Sequence, residues 1–117
     1  MKPLIALIAT LAANVSLASD VEIVNVQAAQ SGSAWRFDVT LRHADSGWDH
    51  YADGWEVLAP DGTSLGMRVL AHPHVNEQPF TRSLGRVVIP EGVTAVVIRA
   101  RDNTGGWATK TFPLTLP

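Results

Sequence analysis

The chain has 117 residues, 46% of them apolar, a formal net charge of −2 and no cysteine. An acidic balance excludes the basic face that nucleic-acid recognition needs. Without cysteine there is no disulfide and no thiol nucleophile, so a domain of this size has only its core to hold it.

Residues 1–18 carry the three parts of a secretory signal peptide. Lys2 gives the positive start, Leu4 to Ala13 are almost wholly apolar, and Ser16 and Ala18 are small residues where a leader peptidase reads them. The apolar stretch runs about ten residues, against roughly 20 for a spanning helix. The expected mature chain therefore starts at Ser19, has no membrane span, and is periplasmic or secreted; Ala13 marks a second cleavage point. No cysteine is present for lipid attachment. Residues 19–117 read as one domain, with no linker and no internal repeat.

Period-two alternation dominates the mature chain. From Trp35 to Arg42 the odd positions are apolar and the even ones polar, which makes a strand with one buried and one wet face. Seven strands are expected, near 21–29, 34–43, 54–60, 65–71, 80–89, 94–101 and 107–116, with turns at 30–33, 60–62, 90–92 and 103–106. Trp35, Phe37, Val39, Leu41, Val96, Ile98 and Phe112 are the expected core, with Arg36, Asp38 and Arg99 facing water. In the last strand Lys110 shares a face with Ala108, Phe112 and Leu114, an inward charge that suits a sheet edge. The fold class is all-β, a seven-stranded antiparallel sandwich.

Ile89-Pro90-Glu91-Gly92-Val93-Thr94, the alternating Val96 to Asp102 and the glycine hairpin after it resemble the sixth and seventh strands of fibronectin type III and bacterial immunoglobulin-like domains. The resemblance covers about 30 residues, departs at the missing corner tyrosine, and implies the fold and no function. Gly47-Trp48-Asp49-His50-Tyr51-Ala52-Asp53, with His72-Pro73-His74 and Glu77 to Arg82, is similar to a family of small exported proteins of Gram-negative bacteria. That likeness brings no catalytic residues with it.

If strands run up and down, loops 44–53, 72–79 and 102–106 meet at one end. All four histidines (His43, His50, His72, His74) lie in or beside the first two of these loops. His72 and His74 flank a proline that keeps the segment extended. With His50 or Glu77 they form a nitrogen-rich set suited to Cu(II) or Zn(II). The alternative reading has the same histidines bracing the loops. Asp45, Asp49 and Asp53 recur every four residues and offer oxygens for Ca²⁺, without EF-hand spacing. Trp48, Asp49, Tyr51, Asp53, Asp102 and Trp107 make the expected surface for a periplasmic protein partner. Arg82 is expected to pair with Glu77. No Gly-x-Ser-x-Gly elbow is present, and a binding module is expected before an enzyme. The alternative is a purely structural or interaction domain.

Overall fold

The alternating segments form strands in the computed structural model, which describes residues 19–117; the expected leader lies outside that span. In chain order the strands are β1 (Glu22–Ser31), β2 (Ala34–Arg42), β3 (Ala52–Leu58), β4 (Ser64–Val69), β5 (Phe80–Val87), β6 (Ala95–Asp102), β7 (Gly106–Trp107) and β8 (Phe112–Thr115). No helix occurs among the described residues. One sheet has the order β1-β2-β5; the other runs β4-β3-β6-β7, with β8 also pairing β6. Every pairing between these strands is antiparallel.

The inward residues of the two sheets share one core. Phe37, Val39 and Leu41 come from β2, and Trp55, Val57, Val96 and Ile98 from β3 and β6; all are fully buried or nearly so. Each large apolar side chain removed from water contributes about 1.5–3 kcal/mol, and with no disulfide these contacts must offset the cost of ordering the chain. Trp35 is only half-buried, because the β2–β5 register shifts between Trp35 and Phe37. Arg86, in the partner segment of that irregularity, has a φ of 58°. Arg99 is half-buried too: its guanidinium pairs with Glu56 at 2.6 Å and lies 3.8 Å from the Trp107 ring centre. Gly32 and Gly92 close their turns at φ of 62° and 86°, which glycine adopts without Cβ strain.

The strand expected over 107–116 is two strands, so the described residues hold eight and not seven. β7 pairs Arg101 and Asp102, and β8 pairs Ala95 to Ile98. Between them buried Ala108 still donates to the Ala100 carbonyl at 2.9 Å and also bridges Ser19, and the chain then leaves the ladder until Phe112. Lys110 falls in this break and is exposed, not inward-facing. Phe112, which restarts the ladder after the break, is half-buried.

Candidate metal centre at the long-loop end

The segments after β2, β4 and β6 are tied to one another at one end of the sheets. Asp45 accepts from the His74 amide at 2.8 Å, and Gln78 accepts from the His43 amide at 3.0 Å. The Asn103 side chain accepts from the Tyr51 amide at 2.9 Å and donates to the Trp48 carbonyl at 3.0 Å. The β3–β6 register sets Ala52 opposite Asp102, which brings the first and third of these segments together.

Strand parity carries polar side chains into this end of the core. His43 follows Leu41 on the inward face of β2, and Asp102 follows Ala100 on that of β6. The Nε2 atoms of His43 and His50 each lie 3.2 Å from Asp102 Oδ2, and His43 Nε2 lies 3.0 Å from Asp20 Oδ1. One donor atom from each of these four residues falls within 4.8 Å of all the others. The His43 and Asp102 side chains are 1% and 2% exposed, whereas His50 and Asp20 open the cluster to solvent. A groove of about 470 Å³, lined by residues 19–23 and 108–112, borders it on the Ser19–Asp20 side.

Behind His43 stands Asp45, buried, with Oδ1 at 2.5 Å from His43 Nδ1. Asp45 also accepts from the Ala52 and His74 amides, so its carboxylate serves only as an acceptor. Nδ1 of His43 therefore carries the proton. Its Nε2 faces the Asp20 and Asp102 carboxylates, and its ring lies edge-on to His50 at 4.7 Å between ring centres. Two buried carboxylates and one exposed carboxylate meet here; backbone amides satisfy part of the buried pair, and an imidazolium or a metal cation would compensate its charge. A carboxylate orienting a histidine whose other nitrogen faces the donor cluster is the usual support for a metal-ligating imidazole.

Burial acts to raise the Asp102 carboxyl, but hydrogen bonds from the Gly105 amide, His50, the Ser19 hydroxyl and the Thr104 amide outweigh it. They hold Asp102 ionised well below the usual carboxylate range. Oδ1 closes the 102–105 turn, accepting from Gly105 at 2.6 Å and Thr104 at 3.0 Å, while Oδ2 faces the histidines.

The expected set His50, His72, His74 and Glu77 is not gathered. Among the described residues the metal-capable group is Asp20, His43, His50 and Asp102. His74 lies beside His72, at 4.7 Å between ring centres, but stacks on Phe80 at 4.0 Å and accepts from Arg82 through Nε2 at 2.8 Å. Burial, then the charges of Arg82 and His72, push the His74 imidazole below its usual value against the opposing pull of Glu77 and Asp45. His72 and Glu77 are exposed, and Glu77 pairs with Arg82 at 3.4 Å. The aspartates considered for Ca²⁺ also separate: Asp45 supports His43, Asp49 is exposed, and Asp53 pairs with Arg101 at 3.0 Å.

Of the expected partner surface, Trp48 is 66% exposed and meets Tyr51 edge-on at 5.7 Å between ring centres. Asp102 is buried and belongs to the cluster rather than to a surface. Trp107 is half-buried, with the guanidiniums of Arg99 and Arg101 over its ring. His43, Asp45 and Asp20 stood outside the expected ligand set. Parity alone marks His43, because it is the next inward position after three apolar ones.

The chain matches no protein-family profile, and no solved structure matches it. It is similar to a Halomicrobium mukohataei protein described as "Putative lipoprotein", with 48% identity over 84 residues. The match covers 72% of this chain and 40% of that protein, so the chain spans well under half of its relative's length.

Proposed function

We propose that this chain is an exported immunoglobulin-like binding module that holds one Cu(II) or Zn(II) ion between His43, His50, Asp102 and Asp20. The observation that carries the reading is the His43 ring, its Nδ1 proton fixed on Asp45 and its Nε2 facing two carboxylates and His50. Two imidazoles and two carboxylates at this spacing are a donor set for a borderline divalent ion. The immunoglobulin-like assignment draws support from the strand order. First, second and fifth strands share one sheet and third, sixth and seventh the other, as in that class; here β4 joins β3. Export draws support from the leader pattern and from the relative's lipoprotein description. No helix of the described residues is long and apolar enough to cross a membrane. The role is binding rather than catalysis, and Trp48, Asp49 and Tyr51 on the rim of the same end offer a face to a periplasmic protein partner.

A second reading makes the cluster a purely structural brace. It is favoured by how fully Asp45 and Asp102 already satisfy backbone amides of three loops. Calorimetric titration of Zn(II) and of Cu(II) into untagged, chelator-stripped protein separates the two. The metal reading expects one ion per chain, a raised melting temperature by mass action, binding at least tenfold weaker in His50→Ala, and no change in His72→Ala. Wild-type binding no tighter than that of His50→Ala overturns it in favour of the brace.

A further inference from the structure

A two-sheet sandwich has four outer strand edges, and each exposes amides and carbonyls that another strand can take. Three of the four are closed or guarded here. β4 and β5 cover each other across the sheets: a Cβ on Gly66 would lie 2.9 Å from the Leu84 side chain, and Arg68 Nε donates to the Ser83 carbonyl at 2.9 Å. The β7–β8 side is short and interrupted. Lys110 is exposed in the break, and Pro113, inside β8, has no amide to offer.

β1 is built differently. It is the longest strand, with 10 residues, and among the described residues it pairs only with β2. It holds no lysine, arginine or proline, and its one charge, Glu22, stands at the first position and pairs with Arg42 at 3.3 Å. Past the irregularity between Ile23 and Asn25 its register with β2 runs unbroken to Ser31. Ile23 and Ala28 lie opposite inward Leu41 and Phe37, yet both are only half-buried at this edge.

We propose that β1 pairs antiparallel with β1 of a second copy of this chain, about a two-fold axis through Gln27, and joins two three-stranded sheets into one. The strand selects its own copy. With Gln27 opposite its counterpart, each side-chain amide holds the donor and the acceptor that the other needs. Val26 then meets the counterpart of Ala28 on the inward face, and Asn25 that of Ala29 on the outer face, so the pleats match. The antiparallel direction sends the two Glu22 carboxylates to opposite ends, and chains of like net charge meet along an uncharged stretch. An unrelated strand finds no charge along that stretch to fix its register. The pairing belongs to the small class of interfaces, below about 1,200 Å², so association is reversible and rises with concentration.

Sedimentation equilibrium of the exported protein, in chelator and from micromolar to millimolar concentration, reads the pairing beside Gln27→Lys and Val88→Lys. Val88 is 68% exposed and lies outside β1, so its substitution adds the same charge away from the axis. Wild type and Val88→Lys are expected to dimerise alike. Gln27→Lys sets like charges directly opposite each other and should dimerise at least tenfold more weakly. Disulfide trapping reads the register, cleanly because the chain has no cysteine of its own. Directly opposed Cβ atoms lie about 4.5–5.5 Å apart, close to what a disulfide spans. Gln27→Cys is therefore expected to cross-link at least tenfold faster than Asn25→Cys or Ala29→Cys. A wild type that stays monomeric throughout overturns the proposal. So does a dimer that Gln27→Lys leaves intact, or equal cross-linking rates in the three cysteine variants.

Discussion

Replacing Asp45 by alanine removes one carboxylate and strands three donors at once. Those are the His43 Nδ1–H, the Ala52 amide and the His74 amide, all in buried residues. A buried donor left without a partner costs about 1–3 kcal/mol, so the loss in Asp45→Ala is about 5 kcal/mol. That is comparable to the whole stability of a modest domain, which lies at about 5–15 kcal/mol. Asp45→Asn keeps one carbonyl oxygen for His43 and Ala52 but turns an NH₂ group toward the His74 amide. It should cost about 2 kcal/mol and still fold. Urea unfolding reads both losses as shifts of midpoint at unchanged slope. The asparagine variant should also bind Zn(II) about 10–100-fold more weakly, since the carboxylate no longer orients the His43 ring. An Asp45→Ala protein within about 1 kcal/mol of wild type would refute the reasoning, because the stranded donors would then have found other partners.

Phe37→Ala, in a fully buried position, should cost about 3–5 kcal/mol and Ile98→Ala about 2–5 kcal/mol, whereas Arg36→Ala on the wet face should stay within about 0.5 kcal/mol; urea midpoints check all three. His74 takes up a proton less readily in the fold than in the unfolded chain. Its contribution to stability is thus complete above about pH 6.5 and declines as pH falls below that value. Comparing wild type with His74→Gln at pH 7.5 and pH 5.5 should show the wild type losing more on acidification. Asp102→Asn keeps an oxygen for the 102–105 turn but not the charge facing His43 and His50, and should cost about 3 kcal/mol at neutral pH. Because the native Asp102 carboxyl titrates below its unfolded value, that difference should narrow as pH falls below about 3.9, which acid unfolding measures.

The strands and their inward faces were legible because period two is a direct consequence of the pleat. β2 and β6 follow it residue by residue, with Phe37, Val39 and Leu41 buried in one and Val96, Ile98 and Ala100 in the other. The break at 109–111 was not legible, since alternation continues through Ala108, Lys110 and Phe112 as if the ladder did. Ala108 still donates to the Ala100 carbonyl of β6 at 2.9 Å and also bridges Ser19, a contact between distant chain segments that no local pattern records. At the long-loop end, the meeting of loops followed from strand parity, but the partners of each histidine did not. His72 and His74 look paired by spacing, yet Phe80 and Arg82 hold His74 through a strand whose placement depends on the whole sheet. His43 and Asp102 were legible in a different way, each being the polar residue that continues an apolar inward series.

The two oxygens of Asp102 point into different structures, one into the 102–105 turn and the other into the histidine cluster. A carboxylate is planar and stiff, so a pull on one oxygen tilts the other. Charge drawn toward Oδ2 weakens Oδ1 as an acceptor for Gly105 and Thr104. The amide resonances of these two residues therefore act as built-in sensors of what happens among the imidazoles. Their nitrogen and proton shifts should move together during a titration of the cluster, and their exchange with solvent deuterium should speed up or slow down in step. An observer watching a glycine on an exposed hairpin would be reading the state of a carboxylate that solvent barely reaches.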